Sequence, residues 1–259
     1  MTPVTQNLFH QTLAWYFFYA ASYYSSDADF QDHILLKKKH SLRVAALSGV
    51  IAKELGLPCK EILLAKIIGL LHDIARFEQY TRYQTFNDKI SFDHGEFGAK
   101  LLSQIDCLEG IDNDLREIIW CAVFHHNKIS IPATLSEREA LHTRIVRDAD
   151  KLDIIYLTCR YLKNGRRFPT VFPASNGQLS PGIVEALAAR QLIDYSMVQS
   201  LYDFHLLKIA WVYDLNFTPS LAIIHQRNHI KILKAALPIS AELEEQFMLL
   251  DRYIKDGLV

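Results

Sequence analysis

A histidine and an aspartate stand side by side in the stretch GLLHDIARFEQY, at the end of a strongly apolar run. His72 and Asp73 follow Leu71 and precede Ile74. An unpaired carboxylate in an apolar interior is destabilising, or its pKa shifts until the group is neutral. The pair therefore needs a partner, and the candidates are a hydrogen-bond donor, an opposite charge or a metal ion.

Other histidines and an aspartate share the apolar faces of predicted helices. His40 lies four residues after Leu36 and four before Val44, and His72 follows Ile68 by four, so both point with their apolar neighbours. The same spacing argument, or a position just inside a helix start, directs three more polar residues inward: His94, His126 and Asp150.

Each of these residues taken alone has an ordinary structural explanation. A core histidine is usually just hydrogen-bonded, and Asp150 could cap a helix or pair with Arg147 or Lys151. The joint pattern of four histidines and two aspartates on five predicted helices favours a metal site. Imidazole nitrogen and carboxylate oxygen suit zinc, iron or manganese, and Asp73 beside His72 could bridge two ions about 3.5–4 Å apart.

Helical periodicity dominates the chain and predicts an all-α fold. Two pairs are spaced as capping boxes at predicted helix starts, Asp93 with Glu96 and Ser136 with Glu139. The segment TRYQTFNDKISF breaks the periodicity and is predicted to be a loop. The predicted helical runs are 32–55, 60–76, 93–105, 114–126, 136–162, 183–192, 198–213, 221–237 and 241–254.

The segment NGRRFPTVFPASNGQLSPG carries three prolines and three glycines and is the one plausible internal boundary. Its Arg166 and Arg167 could contact phosphate or form a solvated basic turn. We predict one compact helical domain over residues 1–259, with a metal-binding core at 30–160, additional N-terminal helices, and a C-terminal helical extension at 180–259 packed on the core.

Composition excludes several classes of protein. The chain has 259 residues and a net charge of −1, which gives no overall field for stable nucleic-acid binding or an acidic membrane. The apolar stretch LAWYFFYAASYY is too short to span a bilayer. The scattered cysteines form no CxxC pair, which predicts free thiols in a reducing, cytoplasmic compartment: Cys59, Cys107, Cys121 and Cys159.

Five sequence blocks occur in a distinctive order over about residues 30–160: HSLRVAALSGVIAKELGL, LLHDIARFEQY, DHGEFGAKLL, FHHN and RDADKLDII. Together they resemble the motif blocks of the HD domain superfamily of metal-dependent phosphohydrolases. The resemblance implies an all-helical domain with a metal site at its centre, holding one or two divalent ions of manganese, iron, zinc, magnesium or nickel.

The resemblance also implies four ligands of a first ion: His40, His72, Asp73 and Asp150. Asp73 would bridge to a second ion held by His94 and His126. His125 is the alternative or additional ligand within FHHN. In superfamily members that bind one metal, His94 and His126 would serve the substrate instead.

The function that this resemblance implies is hydrolysis of a phosphate ester by a metal-activated hydroxide. The resemblance says much less about the substrate. We expect a nucleotide or related small phosphorylated molecule as substrate, with Asp73, Arg76 and Lys151 as catalytic residues. Arg76 could instead pair with Glu78 or Asp93. Arg76 replaces the lysine usual in the cyclic-dinucleotide branch, whose Gly-Tyr-Pro signature is also missing after HHN.

Two alternatives from other classes remain open at this point. The first is a non-catalytic, metal-stabilised helical module for regulation or interaction, and the second is a di-iron oxygenase on the same scaffold. The sequence leaves homo-oligomerisation open, and it predicts no membrane association.

Overall fold

The computed structural model describes residues 4–104, 108, 110–165 and 178–258. Every regular element within these ranges is a helix, which confirms the all-α prediction. No helix in these ranges combines the length and apolar character that a membrane crossing requires. Three residues singled out in the sequence lie outside the described ranges: Cys107, Arg166 and Arg167.

The chain divides into two compact units, Met1–Asp150 and Lys151–Val259. The helices that begin in the first unit are α1 (Gln6–Ala21), α2 (Ala28–Glu54), α3 (Cys59–Leu71), α4 (Ala75–Tyr83), α5 (His94–Leu102), α6 (Asn113–His125) and α7 (Glu137–Lys163). Helix α7 continues across the boundary between the units. The domain limits expected from the sequence stay a prediction.

Among its described residues, the second unit contains the end of α7 and five shorter α-helices: α8 (Ile183–Ala188), α9 (Leu201–Ala210), α10 (Thr218–Gln226), α11 (His229–Lys234) and α12 (Ala241–Asp256). The continuous helix expected over 221–237 is interrupted, because Asn228 adopts a left-handed backbone with φ of 53°. Asparagine tolerates this conformation better than most residues. The helix breaks at Asn228, although the apolar periodicity of the sequence continues through this position.

Helix α3 is the central helix of the first unit and packs against α1, α2 and α6. The buried apolar side chains of α3 itself point to several sides of the helix, which is typical of a buried helix. They are Leu63, Leu64, Ile67, Ile68, Leu70 and Leu71. At Gly69 the backbones of α3 and α2 approach closely, since an added Cβ would lie 2.9 Å from Ala45 Cα. This helix delivers His72 to the interior, where that residue is fully buried.

Local hydrogen bonds fix the starts of α5 and α7. The Asp93 carboxylate accepts from the Gly95 and Glu96 amides, at 2.9 and 3.1 Å, and so sets the first turn that carries His94. The predicted capping box of α7 is present: Glu139 Oε2 accepts from the Ser136 amide at 2.8 Å, and Ser136 Oγ accepts from the Glu139 amide at 3.3 Å.

A partly buried ion cluster connects α3 to α7. Glu61 accepts from Arg138 Nη2 at 2.9 Å and Nε at 3.1 Å, and its other neighbour is His142 Nε2 at 2.8 Å. The hydrogen bond with His142 lowers the pKa of Glu61 to about 2, aided by Arg138 and opposed by burial. Because the folded-state pKa lies below its ordinary value of 4.5, the cluster stabilises the fold above pH 4.5 and loses this effect as the pH falls toward 2.

We therefore expect Glu61→Gln to lower the free energy of unfolding at pH 7 by about 1–3 kcal/mol, because two donors lose their anionic partner. Urea unfolding is followed by circular dichroism at pH 5 and pH 3. The difference in the free energy of unfolding between Glu61→Gln and wild type should be smaller at pH 3 than at pH 5. The exposed Glu54→Gln variant is the control. A difference that is constant over this pH range would contradict the assignment.

Candidate metal centre

Five separate segments of the first unit bring together six of the seven predicted ligands. Helix α2 supplies one, the turn after α3 two, the first residue of α5 one, the residue after α6 one and α7 the last. These ligands are His40, His72, Asp73, His94, His126 and Asp150. All are buried except Asp150, whose side chain is 21% exposed.

The first subsite comprises His40, His72, Asp150 and Oδ2 of Asp73. His40 Nε2 lies 3.2 Å from His72 Nε2, 3.1 Å from Asp150 Oδ1 and 3.5 Å from Asp73 Oδ2. His72 Nε2 lies 3.7 Å from each of the same two carboxylate oxygens. Two imidazole nitrogens and two carboxylate oxygens thus face one small volume, as the family resemblance implies for a first metal.

The second subsite comprises His94, His126 and Oδ1 of Asp73. The Nε2 atoms of the two histidines lie 3.0 Å apart, and they lie 3.5 and 3.9 Å from Asp73 Oδ1. One oxygen of Asp73 therefore faces each subsite. This is the arrangement that a carboxylate needs in order to bridge two ions.

Backbone carbonyls fix the orientation of two imidazoles. His72 Nδ1 lies 2.9 Å from the Gly69 carbonyl, and His126 Nδ1 lies 2.6 Å from the Val123 carbonyl. Because a carbonyl oxygen only accepts, both Nδ1 atoms carry the proton and donate it. The Nε2 lone pair of each ring is thereby directed into the cluster, as in histidines that ligate metals.

A carboxylate does the same for His94, whose Nδ1 donates to Asp88 Oδ2 at 2.5 Å. Burial raises the pKa of Asp88, but its bond to His94 and the nearby Arg76 outweigh this and hold the pKa far below its ordinary value. Asp88 is therefore an ionised acceptor. Asp88 begins a short 3₁₀ helix, Asp88–Ile90, within the segment predicted to be a loop, and this is why the α-helical periodicity does not point to it.

The cluster fits a divalent cation. The Nε2 lone pairs of His94 and His126 face one another at 3.0 Å, and such acceptors repel unless a cation lies beside them. Burial, followed by repulsion from His94 and His72, keeps the pKa of His126 well below 6.5, so this imidazole is neutral and able to ligate. Neutral imidazoles with ionised carboxylates are the donor set of zinc, iron and manganese sites.

Two cationic side chains contact the bridging carboxylate. Lys37 Nζ donates to Asp73 Oδ2 at 2.8 Å, and Arg76 Nε donates to Asp73 Oδ1 at 3.3 Å. Burial raises the pKa of Asp73, but Lys37, His72 and Arg76 outweigh it and hold the pKa well below the ordinary value. Lys37 is not among the site residues predicted from the sequence, although its position three residues before His40 places both on one face of α2.

Arg76 forms more hydrogen bonds within the protein than either a catalytic role or a pair with one nearby acid would require. Its Nη1 donates to Gln79 Oε1 at 2.6 Å, to the Phe86 carbonyl at 2.7 Å and to Asp88 Oδ1 at 2.8 Å. Its acidic partners are thus Asp73 and Asp88, in place of the two acids considered from the sequence. Arg76 holds the bridging carboxylate and the partner of His94 in one network.

The remaining two predicted site residues have other neighbours. The ring of His125 packs against Phe124 with centroids 4.8 Å apart, and His125 is in none of the three ligand-capable groups found among the described residues. Lys151 Nζ forms an ion pair with Asp214 Oδ2 at 2.8 Å within the second unit. The metal role of His125 and the catalytic role of Lys151 stay predictions.

Asp88 provides a direct test of how the second subsite is held. We expect Asp88→Asn to weaken metal binding about 10–100-fold, because His94 loses the anionic acceptor that orients its ring. Isothermal titration of the metal-free protein with Mn²⁺ or Zn²⁺ measures this effect. Asp114→Asn, an exposed change at the start of α6, should leave the affinity as it is in wild type. Equal affinities for all three proteins would contradict the assignment.

Comparison with known families defines the class of this fold and site. Residues 38–155 match the HD domain family, and this range includes all six clustered residues. Residues 38–155 thus match an HD domain, and the resemblance noted in the motifs is confirmed over this range.

One curated relative is Ribonuclease Y of Lawsonia intracellularis (strain PHE/MN1-00), which is 31% identical over 96 residues. The matched region makes up 37% of this chain and 15% of the relative, so the chain spans only a small part of the relative's length. No solved structure matches the chain.

Proposed function

We propose that this protein is a metal-dependent phosphohydrolase that cleaves a phosphate ester of a small molecule such as a nucleotide. The observation that carries the proposal is the bridging position of Asp73, with one oxygen toward His40 and His72 and the other toward His94 and His126. Divalent ions bound there would supply Lewis acidity and a nucleophilic water at neutral pH.

The protein's own groups prepare the site for this chemistry. The Nδ1 donors of His72, His94 and His126 are bonded to fixed acceptors, so their rings are oriented before any ligand arrives. Asp73 remains ionised because Lys37 and neighbouring groups stabilise its charge. Preorganised groups of this kind avoid the cost of reorganisation during the reaction.

Exposure indicates the side from which a substrate reaches the cluster. The side chains of His72 and His126 are fully buried, whereas those of Asp150, Lys37 and Arg76 are 21%, 16% and 13% exposed. The accessible rim therefore carries an ammonium and a guanidinium group, which attract an anion. Nε and Nη1 of Arg76 already bind acids, so its Nη2 is the atom we assign to a phosphoryl oxygen.

The proposed substrate is a small phosphorylated molecule, and stable nucleic-acid binding is not part of the proposal. A net charge of −1 provides no extended positive field of the kind that holds nucleic acid. The relative is named as a ribonuclease, but only 15% of its length is matched.

The test is turnover by metal-free and reconstituted protein. The protein is stripped with a chelator, loaded separately with Mn²⁺, Zn²⁺, Fe²⁺, Mg²⁺ or Ni²⁺, and assayed on p-nitrophenyl phosphate, bis(p-nitrophenyl) phosphate and a nucleotide panel. We expect phosphate release or ester cleavage that at least one ion restores and the chelator abolishes. Metal-loaded protein without turnover of any ester would contradict the proposal, and oxygen consumption by the iron form would favour the oxygenase alternative.

A further inference from the structure

Lys37 and Arg76 both contact the carboxylate of Asp73, but their positive charges are balanced in different ways. Arg76 shares its charge between two carboxylates, Asp73 and Asp88. Among the described residues, the carboxylate partner of Lys37 is Asp73 alone, at 2.8 Å. Asp73 is also the carboxylate that faces both metal subsites. Ions bound in those subsites would draw on the same negative charge and leave the charge of Lys37 largely uncompensated.

The ammonium group of Lys37 also has donors to spare. An ammonium carries three N–H donors, and Asp73 Oδ2 accepts one of them. The side chain is 16% exposed, so it lies at the accessible rim. An oxygen that accepts a second hydrogen bond from Nζ lies within about 6 Å of Asp73 Oδ2, which is inside the proposed reaction site.

An aromatic ring holds the lysine in this place. Lys37 Nζ lies 4.9 Å from the centroid of the Phe86 ring, and Arg76 Cζ lies 5.9 Å from the same centroid. Phe86 in turn packs against Tyr80, with centroids 4.9 Å apart. Two cations over one ring form a fixed positive edge beside the metal cluster, because the ring face attracts both.

We propose that Lys37 binds a non-bridging phosphoryl oxygen of the substrate and makes the site prefer a phosphomonoester dianion to a phosphodiester monoanion. The proposal rests on the phosphohydrolase function proposed above and narrows its substrate class. A monoester has a further anionic oxygen that can accept from Lys37, whereas a diester carries an esterified oxygen in that place. The extra charge-assisted hydrogen bond is therefore made only with the monoester.

The experiment compares Lys37→Met, which keeps the length of the side chain without its charge, with Lys37→Arg, which keeps the charge. Lys39→Met is the matched control, since Lys39 is an exposed lysine on the same helix. Each protein is loaded with the metal that activates wild type, and its metal content is verified. The readouts are kcat/KM for p-nitrophenyl phosphate and for bis(p-nitrophenyl) phosphate, together with the affinity for inorganic phosphate from isothermal titration.

For Lys37→Met we expect kcat/KM on the monoester to fall about 10–100-fold and phosphate affinity to fall about tenfold or more, as for loss of a hydrogen bond between charged groups. Turnover of the diester should change less than about threefold. Lys37→Arg should recover most of the monoester activity, and Lys39→Met should match wild type.

Two results would overturn the inference while leaving the phosphohydrolase function intact. Equal loss on monoester and diester would mean that Lys37 only positions Asp73, and unchanged kinetics with unchanged phosphate affinity would mean that it has no part in binding. If wild type cleaves neither ester, the proposed function fails. In that case the titration with inorganic phosphate still tests the contact with Lys37. Phosphate binding by Lys37→Met that is tenfold weaker than by wild type supports the contact, and equal or undetectable phosphate binding by the two proteins refutes it.

Discussion

An Asp73→Asn variant is expected to lose most of its bound metal and to slow phosphoester turnover by at least about a hundredfold. Asparagine keeps the shape of the side chain but removes the negative charge that faces both subsites and that Lys37 and Arg76 contact. The positive charges of Lys37 and Arg76 are then less compensated, which opposes the binding of further cations.

Elemental analysis after dialysis against the activating metal, together with steady-state kinetics, measures these effects. Circular dichroism confirms that each variant is folded. Asp32→Asn changes an exposed aspartate on α2 and should retain wild-type metal content and turnover. Asp73→Asn protein with full metal content and full activity would contradict the bridging role.

Gly69→Ala is expected to destabilise the first unit and to weaken metal binding. The added Cβ would lie 2.7 Å from Ser48 Oγ and 2.9 Å from Ala45 Cα, so α2 and α3 must move apart. Overpacking of this kind costs about 1–3 kcal/mol, which exceeds the roughly 1 kcal/mol that alanine gains over glycine in a helix. The shift also displaces the carbonyl that orients His72, so metal affinity should fall with stability.

Chemical unfolding and metal titration of Gly69→Ala provide the two readouts. Gly98→Ala is the matched control, because its nearest neighbour is a side-chain methyl group, Val123 Cγ1, at 3.2 Å. A methyl group of that kind can move by a few tenths of an ångström, so this variant should be affected less. Gly69→Ala protein as stable as wild type, with unchanged metal affinity, would show that the approach of α2 to α3 is not constrained in this way.

The ligands on helix faces were predictable because a 3.6-residue period relates each polar side chain to its apolar neighbours. His40 four residues after Leu36, and His72 four after Ile68, are placed inward by this rule without reference to the rest of the fold. The structure buries both, with their Nε2 atoms 3.2 Å apart. The order of the motif blocks then indicated the family, which the match over residues 38–155 confirms.

The groups that support the ligands were not predictable in the same way. Asp88 lies in a segment without periodicity, and its contact with His94 depends on how that segment folds back toward α5. The sequence suggests Glu78 or Asp93 as acidic partners of Arg76, whereas its partners in the structure are Asp73 and Asp88. Lys37 is one of three consecutive lysines. Its position three residues before His40 indicates its helix face, but its contact with Asp73 is seen only in the structure.

The most direct measurement is anomalous X-ray diffraction from crystals of the purified protein, collected on both sides of the absorption edge of each metal found by elemental analysis. We predict a peak about 2.0–2.2 Å from Nε2 of His40 and of His72, in contact with Asp73 and Asp150. A second peak, where present, should lie beside His94 and His126. Protein that a transition metal activates, with no anomalous peak of that metal among these six side chains, would contradict the metal centre.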